Sequence, residues 1–250
     1  MPDTRPAFLT AEWRDLAILT FHAEAALLRP FVPRGTELDT HEGRPLISLV
    51  GFRFLHTKVL GLRVPFHRHF DEVNLRFYVR REVRGELRRG VTFIREIVPR
   101  RLIALVARLV YNEPYVALPM QSEVSEEGQS RRVRYAWNSS AGWQRLSLSV
   151  QGLPLPPGRA GEVAFITDHE WGYSRQRDGS TVEYRVEHEP WRIWVGAEPE
   201  AAGDMGAFYG AEMGKAVAQA PVSALFAEGS PVTVFRPVPL AAPADDARAG

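Results

Sequence analysis

Along most of the chain, apolar and polar positions either alternate residue by residue or gather into short apolar blocks bounded by Gly, Pro and charged turns. Alternation marks a half-buried strand, and a short apolar block marks a buried one. Residues 45–54 (PLISLVGFRF) predict a buried strand, and residues 72–79 (EVNLRFYV) alternate cleanly. Arg84-Gly85-Glu86-Leu87 predicts a hairpin turn region, with residues 90–98 (GVTFIREIV) as the return strand. Further strands are predicted around residues 131–137, 145–150, 181–188, 192–195 and 231–236. Helical spacing is rarer. Residues 100–110 (RRLIALVARLV) are Leu-rich and follow Pro99. Residues 203–219 place Met205, Phe208, Met213 and Val217 at roughly helical spacing, against the cost of Gly206, Gly210 and Gly214. Residues 164–168 fit a short turn or helix. No repeat and no linker interrupts the pattern, which predicts a mainly β, largely antiparallel single domain over residues 1–240 with two or three helices. The Pro/Ala-rich residues 241–250 are expected to be a flexible tail.

Composition narrows the chemistry. The 250 residues carry 31 Lys+Arg against 30 Asp+Glu, so a net charge of +1 gives no general attraction to nucleic acid or anionic membrane. The absence of cysteine excludes disulfides, thiolate metal sites and cysteine nucleophiles. The N-terminal residues lack a basic segment followed by an apolar one, and the longest apolar run, residues 102–110, contains Arg108. A cytoplasmic location is therefore expected, with neither nucleic acid nor membrane as partner. Among the basic residues only Lys58 and Lys215 are lysines, and arginine does not act as an amine nucleophile. Neither G-x-G-x-x-G nor G-x-x-x-x-G-K-[ST] occurs, so no nucleotide cofactor is indicated, and there is no G-x-S-x-G elbow.

The most informative segment is EVNLRFYV. Val73, Leu75, Phe77 and Val79 form one face, and Glu72, Asn74, Arg76 and Tyr78 the other. An acceptor, an amide, a planar cationic fork and a phenol in one row suit the grip of a small carboxylate or carbonyl compound. The same row also fits an ordinary solvated strand face. Spacing alone leaves both open.

A family resemblance bears on that choice. The segment from Phe70 to Val79 resembles the F-x-E-x-N-x-R-x-Y-V stretch of a bacterial family of unknown function, the YqjF-like proteins. The likeness continues through Gly90-Val91-Thr92-Phe93, Ala107-Arg108, Pro114-Tyr115, the run from Ile166 to Tyr173, then Tyr184, Val186, His188, Trp191 and Glu228-Gly229-Ser230. It covers roughly residues 8–238, and its strength lies in the ordered set of motifs. The family is placed in the acetoacetate decarboxylase-like superfamily. The resemblance therefore implies a closed antiparallel β-barrel or cone with a few flanking helices, its polar row Glu72, Asn74, Arg76 and Tyr78 pointing into a central cavity. Homo-oligomers are suggested by that superfamily alone.

Acetoacetate decarboxylases work through a lysine Schiff base. By the resemblance, the matching stretch here is 108–115, and Tyr115 stands where the lysine would be required. Lys58 lies in the loop-like HTKVLGLRVP and Lys215 on an expected surface helix. The resemblance thus implies a barrel without Schiff-base chemistry and without a cofactor. Glu72 would be a general base or acid if burial raises its pKa, Arg76 would hold a carboxylate, and Tyr115 or Tyr78 would polarise a carbonyl. Asn74, His169 and Trp171 complete the candidate ligand contacts, with Tyr173 and His188 near them. Three functions stay open: a lyase- or isomerase-type enzyme on a small carbonyl or carboxylate compound, a non-catalytic sensor or carrier, and a barrel in which a Glu72–Arg76 ion pair is merely structural. His67 and His69 form an H-x-H pair that suits either a divalent metal or a place at a cavity mouth. Arg80, Arg81, Arg88 and Arg89, with Arg100 and Arg101, fit a solvated rim or an anion-attracting mouth.

Overall fold

A computed structural model describes residues 5–63, 65–155 and 161–240; the expected tail at 241–250 lies outside them. Seven strands close into a barrel: Ser223–Phe235, Ala7–His22, Leu46–Val59, Phe70–Val83, Glu86–Val98, Trp171–Arg175 and Thr181–His188, the last pairing back to the first. Every neighbouring pair is antiparallel except Glu86–Val98 with Trp171–Arg175, which are parallel. Between those two strands the chain makes a long excursion, which among the described residues pairs with the barrel sheet only through the short strand Tyr115–Ala117, so it can return in the same direction.

That excursion contains helix Arg101–Val110, most of a separate four-stranded sheet and helix Gly161–Thr167. The separate sheet comprises Met120–Glu127, Ser130–Ser139, Gly142–Gln151 and, from later in the chain, Ala197–Ala202. It packs Val133, Tyr135, Trp137, Leu146 and Leu148 onto the outer barrel face formed by Ala17, Leu19, Ile47, Leu49, Val73, Leu75 and Phe77. The opposite faces of the same strands turn inward: Leu16 and Ile18, Val50, Phe52 and Phe54, and the row containing Glu72. Strands covered on both faces read as apolar blocks rather than alternating ones. This is why LAILTF in the first strand and LISLVGF in the third lack a clean period.

Most predicted elements are present with extended ends, including the hairpin about Arg84-Gly85. The 16-residue first strand, Ala7–His22, is additional to them, as are the strands Met120–Glu127 and Ala197–Ala202. The helix expected over residues 203–219 is two short ones, Met205–Tyr209 and Ala211–Val217. They part at Gly210, whose φ of 95° no α-helical residue adopts. No helix among the described residues is long and apolar enough to cross a membrane.

The arginine run is divided: Arg100 and Arg101 are exposed, as in a solvated rim, while Arg81, Arg88 and Arg89 are held by carboxylates. Arg81 and Arg88 converge on the buried Glu183 of strand Thr181–His188, at 3.6 and 2.9 Å, and Arg88 also lies over the Trp171 ring at 4.2 Å. Arg89 meets the buried Asp39 at 3.4 Å. These guanidiniums tie the hairpin to its neighbours instead of forming a solvated rim.

A candidate active site inside the barrel

The barrel encloses a cavity of about 230 Å³, room for roughly seven waters at bulk density. Glu72, Asn74 and Arg76 face into it, as do Tyr115, His169 and Trp171. Tyr78 does not line it. Its hydroxyl is taken by Ser48 at 2.5 Å, and Ser48 in turn by Thr20 at 2.9 Å, a buried chain of hydroxyls tying three strands together. Tyr78 thus serves the wall behind the cavity, and the His169 ring packs against it, tilted by 33°, at 4.8 Å.

Glu72 accepts from Tyr115 Oη at 2.8 Å and from Asn74 Nδ2 at 3.1 Å. Arg76 donates to the Ile166 carbonyl at 3.2 Å. A Glu72–Arg76 ion pair, one of the three functions left open by the sequence, is therefore not formed. Glu72 is held by Tyr115 and Asn74, while Arg76 makes one hydrogen bond among the described residues, to a backbone carbonyl, and not to Glu72.

Two further carboxyls, Glu96 and Glu113, line the same cavity and were not among the candidates. Glu96 owes its place to a bulge. Asn74 pairs with Glu96 and Leu75 with Arg95, but Arg76 pairs with Phe93, so Ile94 is an extra residue. Strict alternation from Phe93 would turn Glu96 outward; the bulge turns both inward. Glu113 follows from helix termination. Helix Arg101–Val110 ends at Tyr111, Asn112 takes a left-handed φ of 53°, and Glu113 precedes Pro114, which disfavours helical backbone. The chain then runs as the short strand Tyr115–Ala117, parallel to Glu86–Val98, with Tyr115 beside Glu96. The only sequence signals were a Glu within the apolar end of a strand and a Glu-Pro step after a helix.

Glu113 Oε1 accepts from Tyr184 Oη at 2.9 Å. That tyrosine lies flat on Gly172, where a Cβ would stand 2.1 Å from its ring, so only glycine admits it. Burial raises the pKa of all three glutamates. For Glu72 the rise is to about 7, with Asn74, Tyr115 and Arg76 opposing it. Glu113 rises to about 8, helped by the neighbouring Glu72 and opposed by the Tyr184 hydroxyl. Glu96 rises well above the usual range because burial is reinforced by Glu113 and Glu72. Three carboxyls with so little solvent do not all ionise near neutral pH. The Tyr115 phenol is pushed well up by burial and by Glu72, and stays protonated. His169 is pushed down to about 3 by burial, then by Arg76 and Arg89, and stays neutral.

Among the side chains that line the cavity, Glu96 Oε2, Asn74 Oδ1 and Arg76 Nε are buried and have no hydrogen-bond partner among the described residues. Unpaired buried polar groups are few in native structures. His67 and His69 do not act together. His67 Nδ1 meets the Pro65 carbonyl at 2.7 Å, while the His69 ring packs edge-on against His56. Lys58 and Lys215 are not among the residues lining the cavity, and Lys215 pairs with Glu212 on the surface.

The fold is that of known enzymes. The acetoacetate decarboxylase of Legionella pneumophila superposes with a TM-score of 0.68 at 13% identity, covering 96% of this chain and 92% of that one. An acetoacetate decarboxylase-like enzyme from Sphingomonas wittichii RW1 gives 0.63 at 15%, covering 94% and 93%. The enduracididine biosynthesis enzyme MppR complexed with pyruvate gives 0.64 at 15%, covering 96% and 92%. The barrel expected from the resemblance is thus the observed fold. In sequence, the chain is 34% identical over 112 residues to the uncharacterized protein YqjF of Bacillus subtilis, a match spanning 44% of this chain and only 45% of that relative. Residues 10–231 match the DUF2071 family of uncharacterized conserved proteins, and the chain belongs to that family.

Proposed function

We propose that the cavity binds a small carboxylate-bearing carbonyl compound and catalyses proton transfer on it, without a Schiff base. The observation that carries this is the convergence, in one cavity, of a guanidinium whose one hydrogen bond among the described residues goes to a backbone carbonyl with a Tyr115–Glu72 pair and a second acid, Glu96. Arg76 holds the ligand's carboxylate through its free Nε edge. Glu72, with a pKa of about 7, is divided between its two forms near neutral pH, the condition in which a carboxyl serves best as base and then acid. As carboxylate it takes a proton from the carbon beside the carbonyl. Glu96, held protonated by burial, gives its proton to the carbonyl oxygen, leaving an enol. Where the deprotonated carbon bears a hydroxyl the product is an enediol: Glu72 returns its proton to the former carbonyl carbon and Glu96 takes one back from the other hydroxyl, completing an isomerisation. Where the next carbon bears the hydroxyl, it leaves as water with the proton from Glu72 while Glu96 takes back the enol proton, completing a dehydration. Tyr115 positions Glu72 throughout and has no amine with which to capture the carbonyl.

A thermal-shift screen of wild type and Arg76→Ala against small keto acids, hydroxy acids and aldehydes tests the binding half. A ligand at 100 times its Kd stabilises the folded state by about 2.7 kcal/mol. A hit present in wild type and lost in Arg76→Ala supports the site; hits equal in both proteins place the ligand elsewhere. For the hit, Glu72→Gln abolishes turnover and leaves the fold intact. A binding-only barrel, the sensor or carrier alternative, gives no product with wild type and only a modest affinity change in Glu72→Gln.

A further inference from the structure

The cavity is divided along the barrel axis, and cross-strand register gives the order. In one layer Arg76 stands beside Ser48 and opposite Phe93. In the next, Asn74 stands between Val50 and Glu96. Glu72 then pairs with Phe52, and finally Phe70 pairs with Phe54. The polar row therefore ends in an aromatic box. Phe54 and Phe70 stack at 4.6 Å, and Trp13 closes on Phe52 and Phe54 at 5.4 and 5.9 Å. Helix Arg101–Val110 adds Ile103 and Val106 to the cavity wall, so apolar surface extends well beyond the acid–base groups.

Pyruvate-sized molecules have too little hydrocarbon to occupy such a box. With the carboxylate on Arg76 and the reacting carbon beside Asn74, Glu96 and Glu72, the rest of the ligand must lie against the aromatic box. We infer that the ligand is a carboxylic acid with an extended apolar body, aromatic or aliphatic, and that the aromatic box of Trp13, Phe52, Phe54 and Phe70 selects it. This deepens the proposed function and rests on it for the placement of the carboxylate. Trp13 Nε1 and Thr57 Oγ1, on two side chains that line the cavity, are buried without partners among the described residues, so a ring bearing one oxygen substituent also suits the site.

Calorimetric titration of the full chain with propanoate, hexanoate and octanoate, and with pyruvate and phenylpyruvate, tests the inference. Each methylene buried contributes about 0.8 kcal/mol, so Kd falls about fourfold per methylene until the cavity is filled. Phenylpyruvate then binds at least tenfold tighter than pyruvate. In Trp13→Leu, which keeps the wall apolar, that advantage shrinks several-fold; a circular-dichroism melt confirms that the variant is folded. Equal binding of pyruvate and phenylpyruvate overturns the aromatic-box assignment and leaves the proposed function standing. Binding of none of the acids overturns both.

Discussion

The Tyr115 hydroxyl donates to Glu72 Oε2 across 2.8 Å, and the Glu72 side chain is buried within the barrel. A donor aimed at the charged form of a carboxyl favours ionisation, while burial opposes it. In Glu72 the burial wins, but Tyr115 and Asn74 keep the pKa near 7 rather than higher. Tyr115→Phe removes one of those donors. Glu72 then titrates at higher pH, and any activity profile governed by it moves to more alkaline pH by a unit or so. A carboxyl-resolved infrared or NMR titration of wild type and variant checks this; coincident curves would mean the hydrogen bond is not formed in solution.

Stability should fall as pH rises through the neutral range. The folded-state pKa values of Glu72 and Glu113 lie above their ordinary 4.5, at about 7 and 8. Between those limits the folded chain holds more protons than the unfolded one. The stabilisation is fully present below pH 4.5 and is lost as pH rises toward 7 to 8. The slope is on the order of 1.4 kcal/mol per pH unit for each extra proton held. Urea unfolding at pH 5.5, 7 and 8.5 measures it, and Glu72→Gln, which cannot ionise, flattens the profile. A wild type whose stability rises with pH over that interval would contradict the burial of these carboxyls.

His169 has the opposite sign. Its folded pKa, about 3, lies below the ordinary 6.5, so its contribution is present above pH 6.5 and is lost as pH falls below it. Wild type should therefore lose stability relative to His169→Leu between pH 6.5 and 5, by on the order of 1 kcal/mol per unit. Parallel pH profiles in the two proteins would show His169 to be solvated.

Gly172→Ala should be disruptive far beyond its single methyl. The added Cβ meets the Tyr184 ring, and displacing that ring breaks its bond to Glu113. Overpacking at such a contact costs about 1–3 kcal/mol or more. Adding Tyr184→Leu removes the clash, so the double variant should be less destabilised than the two single effects summed. Chemical denaturation of the four proteins closes the cycle. Simple additivity would mean that ring and glycine do not touch.

Borohydride reduction in the presence of pyruvate or acetoacetate should leave the protein's mass unchanged. Lys58 and Lys215 are not among the cavity's lining residues, and Tyr115 offers a phenol rather than an amine. A reduced adduct mapped by peptide mass to Lys58 would sink the proposal that the site works without a Schiff base.

The sequence by itself determined many of the strands and the composition of the polar row. Alternation in EVNLRFYV separated Glu72, Asn74 and Arg76 from Val73, Leu75 and Phe77, because side chains on a strand have a fixed period of two. The resemblance to the YqjF-like family then supplied closure into a barrel, which the period alone does not contain: a polar face toward solvent and one toward a cavity read alike. Only the tertiary structure decided the rest. The outer faces of Ala7–His22 and Leu46–Val59 are covered by a sheet formed much later in the chain, which erased the alternation that would have marked the first strand. One extra residue at Ile94 turned Glu96 inward against the period of its own strand, and the Glu113-Pro114 step sent a third carboxyl to meet it. Tyr78 shared the period of the row yet was drawn into the wall by Ser48 on the neighbouring strand. Periodicity is local and counts positions along one strand; bulges, covering layers and cross-strand partners are set by segments distant in sequence, and those fix which carboxyls share the cavity.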